Sequence, residues 1–209
     1  MKLILASKSP RRKEIFENLG IEFEIIVSEA DEESGERDPA ALVKELSLRK
    51  GRAVADKIIE KGGVSEETYI ISSDTVVATG GETPEILGKP KDRADAERML
   101  SLIEGRGHYV HSGIGIIKLT PDMKKEERAA TESTRVEFSH MTKKDIEFYI
   151  DHEKVYDKAG AYAIQGIASA WINKIDGDYF NVVGLPVHRM FDIFKTGYGI
   201  DPEDLMGRK

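Results

Sequence analysis

The stretch "LILASKSPRRKEIFENLG", residues 3–20, constrains the fold more than any other part of the chain. Leu3 to Ala6 form a short apolar run bounded by polar residues, which is the pattern of a buried strand. A helix start follows at once: Ser9 can cap it and Pro10 fits the first helical position, where a missing N–H costs nothing. Ile15, Phe16 and Leu19 then make one apolar face, and Gly20 ends the segment. A strand feeding directly into a helix is the unit of an α/β domain.

The same alternation continues to the end. Phe23 to Val27 read as a second strand and Asp38-Pro39 open a second helix that runs toward Gly62. "YIISSDTVVATG" is a β-type run interrupted by polar residues, and "DRADAERMLSLIEG" is a helix with Asp92 and Asp95 in capping positions. "HYVHSGIGIIKL" and "ESTRVEFSH" read as strands on either side of a charged loop, and "TKKDIEFYI" as a short capped helix. "AWINKIDGDYFNVVG" suggests a hairpin around Asp176-Gly177, followed by a final helix from Pro186 to Phe194. No internal repeat is present. The charged stretches "EADEESGERD" and "PDMKKEERAA" read as solvated loops rather than linkers, so residues 1–209 are expected to form a single α/β domain with two lobes.

Charge limits the partners. With 31 basic and 38 acidic side chains the formal net charge is −7, which argues against general nucleic-acid binding because that needs a broad basic surface. Any anion site must therefore be local. The absence of cysteine excludes thiol catalysis and thiolate metal sites and suits a cytoplasmic protein. "LILA" is too short for a signal-peptide core, and no run approaches the ~20 apolar residues of a membrane span.

Three features break the structural pattern. Arg11 and Arg12 stand in the first turn of a helix, where the dipole favours carboxylates. Either they point into solvent, or a phosphate bound at the helix start reverses the sign of the interaction, with Ser7 adding a hydroxyl. Lys50 falls on the apolar stripe set by Val43, Leu46, Ala53 and Val54; it either snorkels from the core edge or reaches into a cleft toward phosphate oxygens. In "IISSDTVV", Asp74 sits inside a run that would otherwise be a buried strand. It is either bonded to backbone N–H groups at a turn, or it holds a metal and orients a water as general base.

Other motifs fail on spacing. "GGETPEILGKP" has six residues between Gly81 and Gly88, and Pro90 where a P-loop has a hydroxyl residue, so it is no Walker sequence. His108 and His111 fall on opposite faces of a strand and form no metal pair. "SGIG" lacks the third glycine and the helix of a dinucleotide fingerprint.

Together with "SSDTVV", "LGKPKD", "DKAGAYAIQG" and "IDGDYFNVVGLPVHR", the opening stretch resembles the Maf family of nucleoside triphosphate pyrophosphatases, in family order from residue 3 to about residue 190. The resemblance implies a mixed α/β fold with an elongated central sheet, flanking helices and two lobes around a cleft, similar to inosine triphosphate pyrophosphatases. It implies cleavage of a nucleoside triphosphate to monophosphate and pyrophosphate with a divalent cation, Mg²⁺ or Mn²⁺. By the same resemblance Ser7, Arg11 and Arg12 line the triphosphate site, Lys50 and Lys89 reach it, and Asp74 is the catalytic base and a metal ligand. Glu32 matches an acidic position near the metal, although a neighbouring carboxylate could take its place. Arg11, Thr75 and Gln165 resemble the branch acting on dTTP and UTP.

The chain is therefore expected to be an enzyme with a nucleoside triphosphate as partner, no nucleic acid and no membrane, and room for a homodimer. House-cleaning of modified nucleotides and a link to cell-division arrest belong to the same family expectation. The alternative is a non-enzymatic nucleotide-binding regulator of septum formation, which would need the basic residues but not Asp74. A kinase-like protein would need a glycine-rich nucleotide motif, and none is found.

Overall fold

The computed structural model describes residues 1–207. Among the described residues seven strands, β1 (Lys2–Leu5), β2 (Glu24–Ile25), β3 (Thr68–Thr79), β4 (Ile86–Leu87), β5 (Gly107–Leu119), β6 (Lys125–Phe138) and β7 (Ile172–Asp176), form one mixed sheet in the order β2-β1-β3-β5-β6-β7, with β4 paired to β3. Contacts divide the chain into two compact units, and three long strands, β3 (Thr68–Thr79), β5 (Gly107–Leu119) and β6 (Lys125–Phe138), contribute residues to both.

The first unit holds residues 1–74, 112–132 and the chain from Gly184 onward. Its β1 (Lys2–Leu5) runs parallel to β2 (Glu24–Ile25) on one side and to β3 on the other, with Ile4 opposite Glu24 and Ile70. Parallel strands need a crossover, and helices α1 (Pro10–Asn18) and α2 (Pro39–Glu60) supply the two. Helix α2 buries Val54, Ala55 and Ile58 against Ile4, Ile70, Ile117 and Leu119. Close approach of α2 to β5 depends on glycine: a Cβ on Gly113 would stand 2.1 Å from the carbonyl oxygen of Val43. The "SGIG" segment therefore has a packing role.

The second unit holds residues 75–111 and 133–183. The end of β3 pairs antiparallel with β4 (Ile86–Leu87), and β6 pairs antiparallel with β7 (Ile172–Asp176). Helices α3 (Arg93–Ile103) and α4 (Lys143–His152) close its core through Ala96, Met99, Leu100, Ile146 and Tyr149. Asp92 caps α3, and Thr142 with Asp145 forms a full capping box on α4, as the sequence signals require.

The structure departs from sequence expectation at four places. The second strand is only Glu24–Ile25. Most of "PDMKKEERAA" is strand rather than solvated loop, since β6 begins at Lys125 and its charges meet α2 through Arg52–Glu127 (2.6 Å) and Lys125–Asp56. No second strand follows Asp176-Gly177: Asp178 accepts from the N–H of Phe180 at 2.7 Å and starts helix α5 (Tyr179–Val183). Finally, α6 (Val187–Asp192) passes into a π-helical turn at Ile193–Gly197, and a further short helix, α7 (Pro202–Leu205), follows it. No helix among the described residues is long and apolar enough to cross a membrane.

Candidate active site

Ser7 follows β1, and the chain enters α1 two residues later. Pro10 occupies the start of that helix as its fixed φ demands. Ser9 holds the N-cap position but its side chain makes no cap bond; its N–H instead donates to Ser7 Oγ at 3.1 Å. No acidic residue stands in the first turn, so the positive end of the helix dipole has no carboxylate of its own there.

Arg12 is turned inward. Its Nε donates to the carbonyl of Gly184 at 2.7 Å, and Nη1 lies 3.3 Å from Ser7 Oγ. Burial lowers the pKa of Arg12 most, the neighbouring Arg11 charge lowers it further, and Asp74 and Glu32 oppose the shift. Arg11, Asp74 and Glu32 are thus all within electrostatic reach of Arg12. This decides against the reading in which Arg12 simply points into solvent.

Asp74 closes a run in β3 that is buried from Thr68 onward, and only 8% of it is exposed. It is paired. Lys50 Nζ donates to its carboxylate and lies 2.8 Å from Glu32 Oε1. The lysine on the apolar stripe of α2 therefore reaches a pair of carboxylates instead of snorkelling to water. Its place is set from below, because the Ser72 hydroxyl lies 2.7 Å from the Ser47 carbonyl of α2 and 3.1 Å from that of Gly115. A Cβ on Gly51 would meet Ser72 Oγ at 2.9 Å, so helix and strand are locked in one register.

Ser7, Arg11, Arg12, Glu32, Lys50 and Asp74 belong to the first unit. Thr75, Lys89 and Gln165 belong to the second. Thr75 is the half-buried neighbour of Asp74 in β3, Lys89 is exposed just after β4, and Gln165 is exposed in a turn. That turn is pinned by Glu153, whose Oε1 accepts the N–H of Ile167 at 3.1 Å. Sequence reasoning missed Ser73, which donates to the Gly184 carbonyl at 3.1 Å, and Gly184 itself. A signal existed for Gly184, a glycine just before Leu-Pro, and its φ of +118° is one that other residues rarely adopt.

The residues fit a divalent cation. Among the described residues no three His, Asp or Glu side chains gather into a complete site, but Asp74 and Glu32 converge on one ammonium and offer hard carboxylate oxygens. Mg²⁺ and Mn²⁺ typically take one or two protein carboxylates and complete their shell with water and substrate phosphate.

A family model described as Maf-like protein matches residues 2–196. A dTTP/UTP pyrophosphatase of Caldanaerobacter subterraneus subsp. tengcongensis is 46% identical over 200 residues, covering 96% of this chain and 91% of that protein. A dTTP/UTP pyrophosphatase of Clostridioides difficile is 41% identical over 202 residues, covering 96% and 97%. A solved nucleoside-triphosphatase / dITP/XTP pyrophosphatase from Mycobacterium abscessus aligns over 68% of this chain and 76% of that one, at 18% identity and a TM-score of 0.36, too slight a likeness to carry an argument. The buried Asp74, the inward Arg12 at a basic helix start and a match along nearly the whole length lead to one conclusion: the chain belongs to the Maf family.

Proposed function

We propose that this chain hydrolyses dTTP and UTP to the nucleoside monophosphate and pyrophosphate. The observation that carries the reading is the convergence of Lys50 on Asp74 and Glu32 in the unit that also turns Arg12 inward from a helix start without acids. The names of the relatives support the same activity.

In this reading the first-turn N–H groups of α1, Arg11, Arg12, Lys50 and Lys89 hold the triphosphate, with the Ser7 hydroxyl as a further donor. Asp74 orients a water molecule and accepts its proton as the oxygen attacks the α-phosphorus. The bond from the α-phosphorus to the bridging oxygen breaks, and pyrophosphate leaves with the electron pair. Its growing charge falls on the arginines and lysines of this set. A divalent cation held by Asp74 and Glu32 would lower the pKa of the water and screen the phosphate charge. The proposed setting is the cytoplasm, which the absence of cysteine suits.

The base is assigned to Gln165. Uracil and thymine present a carbonyl beside an N–H, and a glutamine amide offers one donor and one acceptor to match them. Thr75 and Arg11 complete the proposed pyrimidine set. A wrong base leaves polar groups unmet at about 1–3 kcal/mol each, or roughly tenfold to a hundredfold in kcat/KM. The test is pyrophosphate release from a panel of nucleotides at equal subsaturating concentration. dTTP and UTP should lead dCTP, ATP and 7-methyl-GTP, and Gln165→Glu should narrow that lead. No pyrophosphate from any nucleotide would overturn the enzymatic reading and leave a nucleotide-binding regulator.

A further inference from the structure

We propose that Arg49 positions Glu32 for the reaction by clamping the peptide carbonyls on either side of it. Arg49 Nη1 donates to the carbonyl of Asp31 at 3.0 Å and to that of Glu33 at 2.6 Å, while Nη2 pairs with Glu45 one turn earlier on α2. Lys50, the next residue along the helix, takes the Glu32 carboxylate at 2.8 Å. Adjacent residues of α2 thus hold the backbone and the side chain of the same glutamate.

The clamp matters because Glu32 lies between β2 and α2, in a segment without helix or strand. A carboxylate on such a segment has rotational freedom to lose before it can serve a site. A planar guanidinium removes that freedom in fixed directions, with Nη1 serving both carbonyls while Nη2 is held by Glu45, whereas a lysine would have to serve all three partners from one freely rotating nitrogen. The flanking turn reinforces it: Asp31 Oδ1 accepts the N–H of Glu33 at 2.9 Å, and Ser34 Oγ donates to Glu45 at 3.0 Å. The Asp31 carboxylate is therefore engaged in its own turn, and Glu32 is the acid that meets Lys50. The assignment rests on the proposed role of Glu32 but not on the identity of the nucleotide.

A double-mutant cycle tests it, with wild type, Arg49→Ala, Arg49→Lys, Glu32→Gln and the Arg49→Ala/Glu32→Gln pair. The readouts are kcat/KM for dTTP, binding of Mn²⁺ in the presence of a non-hydrolysable dTTP analogue, followed by the electron paramagnetic resonance signal of free Mn²⁺, and Tm. Residues that orient metal ligands cost roughly tenfold to a hundredfold in metal affinity when removed. Arg49→Ala should weaken Mn²⁺ binding by about tenfold and lower kcat/KM in step. Arg49→Lys should recover only part of this, since it keeps the charge but has one nitrogen for the partners that Nη1 and Nη2 divide between them. In the Glu32→Gln background, Arg49→Ala should cost nothing further. Wild-type Mn²⁺ binding in Arg49→Ala, a fall in Tm alone, or multiplied losses in the double variant would each overturn the proposal. Absence of pyrophosphate release by wild type would instead count against the proposed activity, while the Mn²⁺ arm of the cycle would still decide the role of Arg49.

Discussion

Arg12 and Ser73 share one acceptor: the carbonyl oxygen of Gly184 takes the Arg12 Nε–H at 2.7 Å and the Ser73 hydroxyl at 3.1 Å. The residue just before Asp74 in β3 and the guanidinium at the start of α1 are therefore held to the same atom. Beyond that anchor at Nε, the Arg12 Nη1 lies 3.3 Å from Ser7 Oγ.

This anchoring predicts unequal costs. Arg12→Ala should raise KM for dTTP by about tenfold to a hundredfold, the worth of a charge-assisted hydrogen bond of about 1.5–3 kcal/mol. Gly184→Ala should destabilise the protein by about 1–3 kcal/mol, because its φ of +118° strains any side chain, and it should raise KM as the carbonyl shifts. Ser73→Ala should be milder than either, since Arg12 keeps its acceptor. Steady-state kinetics with denaturant unfolding separates the three; a wild-type KM in Gly184→Ala beside a raised KM in Arg12→Ala would dissociate Gly184 from Arg12.

Asp74→Asn should lower kcat by at least about a hundredfold, the usual scale of a lost general base, while unfolding stays cooperative. Asparagine keeps the shape, and Lys50 retains Glu32 at 2.8 Å, so the remaining charge is not left alone. Wild-type turnover in this variant would remove Asp74 from the chemistry.

Removal of divalent cations should stop pyrophosphate release, and Mg²⁺ or Mn²⁺ should restore it, because two carboxylates and phosphate oxygens are hard ligands. A thiol reagent should have no effect on a chain without cysteine. Full turnover after exhaustive chelation would refute the metal assignment.

His108 predicts an acid-side loss of stability. It is 1% exposed, bonded through Nε2 to the Tyr162 hydroxyl at 2.8 Å and packed against the Phe138 ring. Burial, and secondarily the charge of Arg135, push its pKa from the ordinary 6.5 down to about 3. The unfolded chain thus binds a proton that the folded one refuses. This contribution is fully present above pH 6.5 and is lost as pH falls toward about 3, on the order of 1.4 kcal/mol per pH unit. Denaturant unfolding from pH 7 to 4 should show the slope, and His108→Gln should reduce it by about one proton. An unchanged slope would show that His108 does not carry it.

Much of this protein was legible in its sequence because local rules decide local structure. Ser9-Pro10, Asp38-Pro39 and Thr142 with Asp145 marked helix starts that the structure places at Pro10, Pro39 and Lys143. Lys50 and Asp74 were visible as charges where a core pattern should have excluded them, and Arg12 as a basic residue in the first turn of a helix, where the dipole favours acids. The resemblance supplied Glu32 but not what holds it. Tertiary structure decided the rest, since hydrogen bonds between distant segments leave no periodic trace. The Gly184 carbonyl meets Arg12 across 172 positions. Asp178 turns an apparent hairpin into a helix start, and Thr134 Oγ1, 44 positions away, accepts its N–H. The charged "KEER" from Lys125 became strand because sheet pairing and ion pairs to α2 outweighed a composition that reads as loop. Sequence determined which side chains needed a partner; only the packing of α2 on β3 and β5 determined that Lys50 and Asp74 would be partners for each other.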